Sequence, residues 1–183
     1  MLLVVIVIAS WTVASDARAE GELPALLLAQ LSLKVASYDR NHAARRRAHP
    51  RILVYEMASD QHSVNLATLI AGALRDPEVG HGDPVDVEDF TSAAALASTV
   101  DARSASLVIL VSGLEGSAAA IAHALSGKDV LTVGTTGVMV EQGAVVGFEL
   151  RESKPKIVVS VRSASAQNVS FRAELLALAR IVP

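Results

Sequence analysis

The chain has 183 residues, of which 51% are apolar, and a formal net charge of −3. The apolar fraction excludes a mainly disordered chain, and the length favours a single domain. The small net charge gives no global argument for nucleic-acid binding. The absence of cysteine excludes disulfides, thiol nucleophiles and cysteine metal sites.

The N-terminus has the pattern of an export signal. The segment from Leu2 to Ala14 is apolar apart from two hydroxyl residues, and it is too short to span a bilayer, which takes about 20 residues. Ala17 and Ala19 form a small-x-small cleavage site that a signal peptidase accepts. We therefore predict a signal peptide over residues 1–19, cleavage after Ala19, and a periplasmic domain over residues 20–183. The alternative is an uncleaved anchor.

Apolar periodicity divides the rest of the chain into alternating helices and strands. Apolar residues recur every three or four positions from Leu23 to Tyr38, the pattern of an amphipathic helix. The run "ASLVILVS" is apolar apart from its serines, which is typical of a central strand covered on both faces. We predict helices over residues 23–38, 60–75, 91–100, 115–127 and 170–182, and strands over 51–57, 85–90, 105–112 and 129–134. We also predict a loop over 76–84, a turn or one helical turn over 135–143, and a hairpin over 144–161.

This order of elements predicts an α/β fold: a single domain with a mostly parallel sheet, helices on both faces and a C-terminal antiparallel hairpin. Strands that alternate with helices favour parallel pairing. The triplet Ser153-Lys154-Pro155 between two apolar runs favours the turn of the hairpin. The strand over 85–90 alternates apolar and polar residues, so we expect it to be half-exposed or to lie at a sheet edge. In the closing segment, one helical stripe contains Phe171, Leu175, Leu178 and Val182.

The sequence contains no pattern that requires an enzyme mechanism. It lacks a phosphate-binding loop, a dinucleotide-binding fingerprint and a nucleophile elbow, and none of its histidines forms a His-x-x-x-His pair. We therefore predict no catalytic residue, no metal site and no cofactor. Asp86 and Glu88 share one face of a predicted strand, where they could hold calcium or form a charged sheet edge.

One candidate ligand site follows a predicted strand. The residues Gly134, Thr135, Thr136 and Gly137 form the sequence "GTTG". Two glycines with hydroxyls between them could face an anion through backbone N–H groups, or they could form only a tight turn.

A second candidate site follows the first helix, where a polar stretch precedes a basic segment that we expect to be a loop. These cations could dock an acidic partner, or they could be solvated beside a helix end, whose dipole favours positive charge. The polar residues could instead cap the helix. The candidate partner-binding residues are Tyr38, Asp39, Arg40, Asn41, Arg45, Arg46 and Arg47.

The chain resembles the YfiR family of bacterial periplasmic proteins. The resemblance rests on "LLLAQLSLKVASYDRN", on the strand "RILVYEM", and on a late segment in which "VLTVG" leads through a glycine-containing turn into a hairpin, a polar stretch and a closing helix. It implies a periplasmic regulator that binds the periplasmic domain of an inner-membrane sensor or diguanylate cyclase, holds it inactive, and so lowers cyclic di-GMP and biofilm formation. Disulfide control does not carry over, because this chain has no cysteine.

Two functions are therefore open. The first is regulation by protein–protein contact, with a homodimer as a possible state. The second is a periplasmic small-ligand binding module resembling half of a substrate-binding protein, since ligands bind at the carboxyl ends of parallel strands. No nucleic-acid partner is expected, because only five scattered aromatic residues would remain after signal cleavage.

Overall fold

The computed structural model describes residues 23–183, so the predicted signal peptide lies outside the described residues. The helices are α1 (Ala25–Ser37), α2 (His42–Ala48), α3 (Gln61–Arg75), α4 (Pro77–Gly80), α5 (Ala93–Arg103), α6 (Ala118–Ala124), α7 (Gly137–Glu141), α8 (Val161–Ala166) and α9 (Ala173–Leu178). The strands are β1 (Arg51–Glu56), β2 (Val85–Asp89), β3 (Ala105–Leu110), β4 (Leu131–Gly134), β5 (Val146–Arg151), β6 (Lys154–Ser160) and β7 (Arg180–Val182). No helix in this part of the chain is both long enough and apolar enough to cross a membrane.

The seven strands form one sheet in the order β2-β1-β3-β4-β5-β6-β7. The first five strands pair in parallel, β5 and β6 pair antiparallel, and β7 lies parallel to β6. The hairpin turns at Glu152 and Ser153, which both have positive φ angles of 50° and 59°, the backbone of a two-residue hairpin loop. The predicted mostly parallel sheet, the hairpin and the edge position of β2 are confirmed.

Both faces of the sheet are buried, as the continuous apolar strands predict. Alternate residues of β1 and β3 point to opposite sides, because side chains alternate along a strand. On one side, Ile52 and Ile109 pack in a core with α1 and α3. On the other side, Leu53 and Leu110 pack in a second core with α5 and α6. The fold is therefore a three-layer α/β domain.

Two of the predicted loops contain helices, and one helix was not predicted. The basic segment after the first helix is not a loop but helix α2. The predicted loop over 76–84 contains the short helix α4. Helix α8, which we did not predict, follows β6 directly.

The predicted terminal helix over 170–182 is wrong in its extent. Only Ala173–Leu178 is helical, and the last residues form β7 beside β6. Leu178 is 69% exposed, so the apolar stripe is not a buried helix face. The edge of β6 offers unpaired backbone groups, and an extended C-terminus satisfies them where a longer helix would not.

Candidate functional site

The polar stretch after α1 is joined to the connection between α8 and α9 by backbone hydrogen bonds. Asp39 and Phe171 form an isolated antiparallel bridge. The Arg40 N–H donates to the Ser170 carbonyl over 2.8 Å, and the Arg172 N–H donates to the Tyr38 carbonyl over 3.0 Å. The first turns of the domain and its last connection are therefore one structural unit.

A buried ion pair lies beneath this bridge. The Arg45 guanidinium binds the Asp39 carboxylate, and the two side chains are 2% and 0% exposed. The same carboxylate accepts hydrogen bonds from the backbone N–H groups of Asn41 (3.2 Å) and Ser170 (2.9 Å). Because charges out of water need partners on all sides, these bonds explain why an acid at this position is tolerated in the interior.

The guanidinium of Arg45 binds two further groups, and we call Asp39, Arg45 and these partners the buried node. Its Nε lies 2.9 Å from Asp129 Oδ1, and its Nη2 donates to the Asn168 carbonyl over 2.9 Å. Arg45 thus connects α2 to the segments before β4 and after α8. These contacts hold the chain in place where it leaves α1, so the buried node has a structural role.

Fewer charged side chains of the predicted partner-binding stretch are free on the surface than the sequence indicated. Asp39 and Arg45 are buried, so they face one another and not the solvent. Arg46 is tied to Asp83 at 2.7 Å. Burial, and then the charge of Arg46, lower the pKa of His42, so its imidazole is neutral near pH 7. Tyr38, Arg40, Asn41 and Arg47 keep exposed surface, and the docking role of the stretch stays a prediction.

A groove of about 490 Å³ lies beside the bridge. Its buried apolar lining consists of Ala164, Val169 and Phe171, and Val161 and Leu176 add further apolar surface. Its polar lining residues are Asn41, Ser165, Asn168 and Ser170. Sequence reasoning predicted Asn41 as a site residue and missed the rest, which lie on α8, on α9 and on the connection between these two helices. The alternation of apolar and polar residues from Asn168 to Phe171 was the available signal.

The "GTTG" turn lies at the carboxyl end of β4, as predicted, but a side chain of the protein already occupies its surface. A Cβ atom on Gly137 would lie 2.6 Å from Cγ and 2.9 Å from Oε1 of Glu149. Glu149 is bound by Arg180, whose Nε is 2.8 Å away, and by Arg151 at 2.9 Å. Partial burial raises the pKa of Glu149, but the hydrogen bonds from both arginines outweigh it and lower the pKa. An internal carboxylate therefore stands close to where an external anion would bind.

Two hydroxyl groups at the same turn lack partners. The Oγ1 atoms of Thr135 and Thr136 are buried and make no hydrogen bond. Buried polar atoms without partners are rare in folded proteins and call for an explanation. They are the feature of this edge that favours a small polar ligand.

The acidic strand β2 does not form a cation site. Asp86 binds Arg51 (2.5 Å) and Arg103 (2.9 Å), and Glu88 binds Arg103 (2.9 Å). Of the two interpretations left open for these acids, the structure supports the charged sheet edge. Within residues 23–183, no group of three or more histidine, aspartate or glutamate side chains is placed to hold a metal ion.

Comparison with known proteins shows which family the chain belongs to. Residues 27–180 match the family described as YfiR/HmsC-like. The chain belongs to the YfiR/HmsC-like family. None of the curated proteins matches it.

Solved structures similar to this YfiR/HmsC-like chain share its fold at low identity. They include a conserved domain protein from Vibrio cholerae O1 biovar El Tor (14% identity, TM-score 0.60, 87% of this chain and 60% of that one). A second is an ABC domain from Streptococcus pneumoniae in complex with L-Trp (12%, 0.63, 84% and 60%). A third is a ligand-free, open substrate binding protein with adhesive properties from Clostridium difficile (12%, 0.55, 76% and 57%). The chain spans about 60% of the length of the first two.

Proposed function

We propose that this protein is a periplasmic regulatory protein that acts by contact with another protein. Its partner in this proposal is the periplasmic domain of an inner-membrane sensor or cyclase, such as a diguanylate cyclase, which it holds inactive. The observation that carries the proposal is the YfiR/HmsC-like family match over residues 27–180. Export through a signal peptide cleaved after Ala19 is part of the same proposal.

The strongest charge contacts of the described chain are made within the protein. The buried charges of Asp39 and Arg45 bind one another, and each has further hydrogen-bond partners within the protein. The charged residues of β2 are likewise bound to arginines. What the described part of the chain offers instead is a groove with a buried apolar base and polar residues around it.

The mechanism we infer is a population shift. A regulator that binds only the inactive state of its partner moves the equilibrium towards that state. Moving a two-state equilibrium from 1:99 to 99:1 takes roughly a 10⁴-fold preference for one state, about 5.5 kcal/mol. A single protein–protein interface of ordinary size supplies free energies of this order.

Deletion and complementation test the proposal. Cellular cyclic di-GMP is expected to rise when the gene is deleted and to return to the wild-type level when the full chain is supplied from a plasmid. A chain that begins at residue 20 and stays in the cytoplasm should fail to restore it, although it is expressed equally. The proposal is refuted if deletion leaves cyclic di-GMP and biofilm mass unchanged, or if the cytoplasmic form complements fully.

A second candidate function is a small-ligand binding module. It is favoured by the partnerless hydroxyls of Thr135 and Thr136 at the carboxyl end of β4, the end of a parallel sheet where ligands bind. The position of Glu149 over Gly137 argues against an anionic ligand there. Thermal unfolding with a library of periplasmic metabolites separates the two functions, since a ligand of the native state raises Tm.

A homodimer is compatible with either function and stays a prediction. Light scattering coupled to size exclusion measures the mass directly. A monomer at all concentrations would contradict it.

A further inference from the structure

The bridge between Asp39 and Phe171 sorts the neighbouring side chains into two sets. Both bridge residues are buried, with exposed fractions of 1% and 7%. Of the residues next to them in the chain, Arg40, Ser170 and Arg172 are exposed, and Tyr38 is partly exposed while it also packs against the core. These four residues form the outward face of the bridge.

This outward face carries positive charge that nothing in the described chain neutralises. The Lys34 ammonium lies 5.5 Å from the centre of the Tyr38 ring, a cation–π distance. Lys34, Arg40 and Arg172 are exposed. None of the three forms an ion pair with a carboxylate of residues 23–183, whereas Arg46, Arg51, Arg103 and Arg180 all do. We call Lys34, Tyr38, Arg40 and Arg172 the basic face.

Local acids do not compensate the basic face. Asp39, next to Arg40 in the chain, is turned inwards and bound to Arg45. Glu174, two residues after Arg172, forms no ion pair with any of the three cations. Unpaired exposed cations beside one another repel, and a ligand of opposite charge relieves that repulsion.

The basic face adjoins the groove. The backbone N–H of Arg40 donates to the Ser170 carbonyl, and Ser170 and the inward bridge residue Phe171 both line the groove. A volume of about 490 Å³ lies within the range of sites that take a few side chains or a small ligand. One continuous surface thus offers an apolar recess with a cationic border.

We propose that this surface binds a segment of a partner protein in which a large apolar side chain is flanked by carboxylates. The apolar side chain enters the groove against Val161, Val169 and Phe171, and the carboxylates pair with Arg40 and Arg172. The inference rests on the proposed function, that the protein acts by contact with another protein, and it adds the chemistry of what is recognised. A recess can accommodate a protruding side chain, whereas a flat lipid surface would not fill it. We therefore choose a protein segment as the occupant.

Selection from a displayed library of random 12-residue peptides tests this inference and requires no candidate partner. Enriched peptides are expected to contain aspartate or glutamate within a few residues of leucine, isoleucine or phenylalanine. Their binding should weaken as salt rises, since exposed charges are screened. Arg40→Glu and Arg172→Glu should each weaken binding about tenfold or more. Lys154→Glu makes the same charge change at the exposed start of β6, outside this surface, and should leave binding within about twofold.

Val161→Asp tests the groove separately from the charges. Val161 is 48% exposed, so the change should leave Tm nearly unaltered while it abolishes binding of the enriched peptides. Vesicles of phosphatidylglycerol are the second probe. The inference is overturned if no peptide is enriched, if the enriched peptides lack acids or bind Arg40→Glu as well as the wild type, or if only the vesicles bind. Because peptide binding is measured in vitro, its failure is distinct from an unchanged cyclic di-GMP level in the deletion strain.

Discussion

Arg45 on α2 binds Asp39 at the end of α1, and both side chains are almost wholly excluded from solvent. The pair holds the start of the domain against Asp129 and against the carbonyl of Asn168, which precedes α9. A buried pair of this kind is weak evidence for net stability, but removing one partner is costly because the other charge stays buried.

Asp39→Ala is therefore expected to lower the free energy of unfolding by about 3 kcal/mol or more. The double variant Asp39→Ala/Arg45→Met should lose less than the sum of the two single variants, because no unpaired buried charge remains and Asp129, which loses its partner, is 46% exposed. Asp83→Ala breaks the more exposed pair with Arg46 and should cost about 1 kcal/mol or less. Urea unfolding of these variants and the wild type measures the differences. Equal losses for Asp39→Ala and Asp83→Ala would contradict the buried node.

The carboxylate of Glu149 makes part of the stability depend on pH. Burial raises its pKa, but Arg180 and Arg151 together lower it below the ordinary value. A carboxyl group with a lowered pKa contributes stability above its unfolded pKa, and this contribution is lost as pH falls through the lowered value. Arg180→Gln should therefore destabilise the protein by about 1 kcal/mol near pH 7, and the difference from the wild type should shrink below about pH 4.

Urea unfolding between pH 3 and pH 7 measures this dependence. Arg151→Gln is the control, because Arg151 is 61% exposed and its interaction is more strongly screened, so its effect should be smaller at every pH. A difference between Arg180→Gln and wild type that stays constant over this range would rule out the role of the Glu149 charge.

Gly147 allows the backbone of the "GTTG" turn to approach β5. A Cβ atom at this position would lie 2.4 Å from the carbonyl oxygen of Thr136, and a backbone atom cannot move aside as a flexible side chain does. Gly147→Ala is expected to lower the free energy of unfolding by about 1–3 kcal/mol. Gly72→Ala in α3, where nothing lies within 4 Å of the new methyl, should be neutral or stabilising by up to about 1 kcal/mol. Thermal and urea unfolding of both variants measure these changes. Equal changes in stability for the two variants would contradict the prediction.

Thr132 on β4 joins two buried groups through one hydroxyl. Its Oγ1 donates to Gln167 Oε1 over 3.0 Å and accepts from the Val145 N–H over 3.1 Å. Thr132→Val keeps the shape but leaves both partners unsatisfied, so a loss of about 1–3 kcal/mol is expected. Thr132→Ser retains the hydroxyl and should lose less. Chemical denaturation compares them, and a Thr132→Val protein as stable as the wild type would show that the two partners find other bonds.

Local signals were sufficient for most elements of the fold. The helix predicted over residues 60–75 is α3, which Asp60 caps, because its carboxylate accepts a hydrogen bond from the His62 N–H at 2.9 Å. The uninterrupted apolar run at β3 indicated a central strand, and Val108 and Ile109 are buried on opposite faces. These outcomes follow from side-chain spacing within a few residues, which is the range over which a sequence pattern acts.

Contacts between distant segments had no such signal. The sequence makes the stretch from Tyr38 to Asn41 a candidate partner-binding segment. Nothing near it in the chain indicates that Asp39 is buried, or that it pairs with Arg45 beneath a bridge to Phe171. The Arg run suggested a solvated patch, and one of its members became part of the interior. The C-terminal stripe indicated one helix to Val182, but the helix ends at Leu178 and the residues from Arg180 to Val182 pair with the open edge of β6.

The sequence by itself determined an α/β domain with a mostly parallel sheet, a late hairpin and no recognisable catalytic motif, because the hydrophobic period of each segment depends only on that segment. Only the tertiary structure decided which charges are buried, which are paired and which stay exposed beside a groove. Those outcomes depend on the free energy of transferring each ion from water to a particular set of partners, and the partners are brought together by the folded sheet, not by their order in the chain.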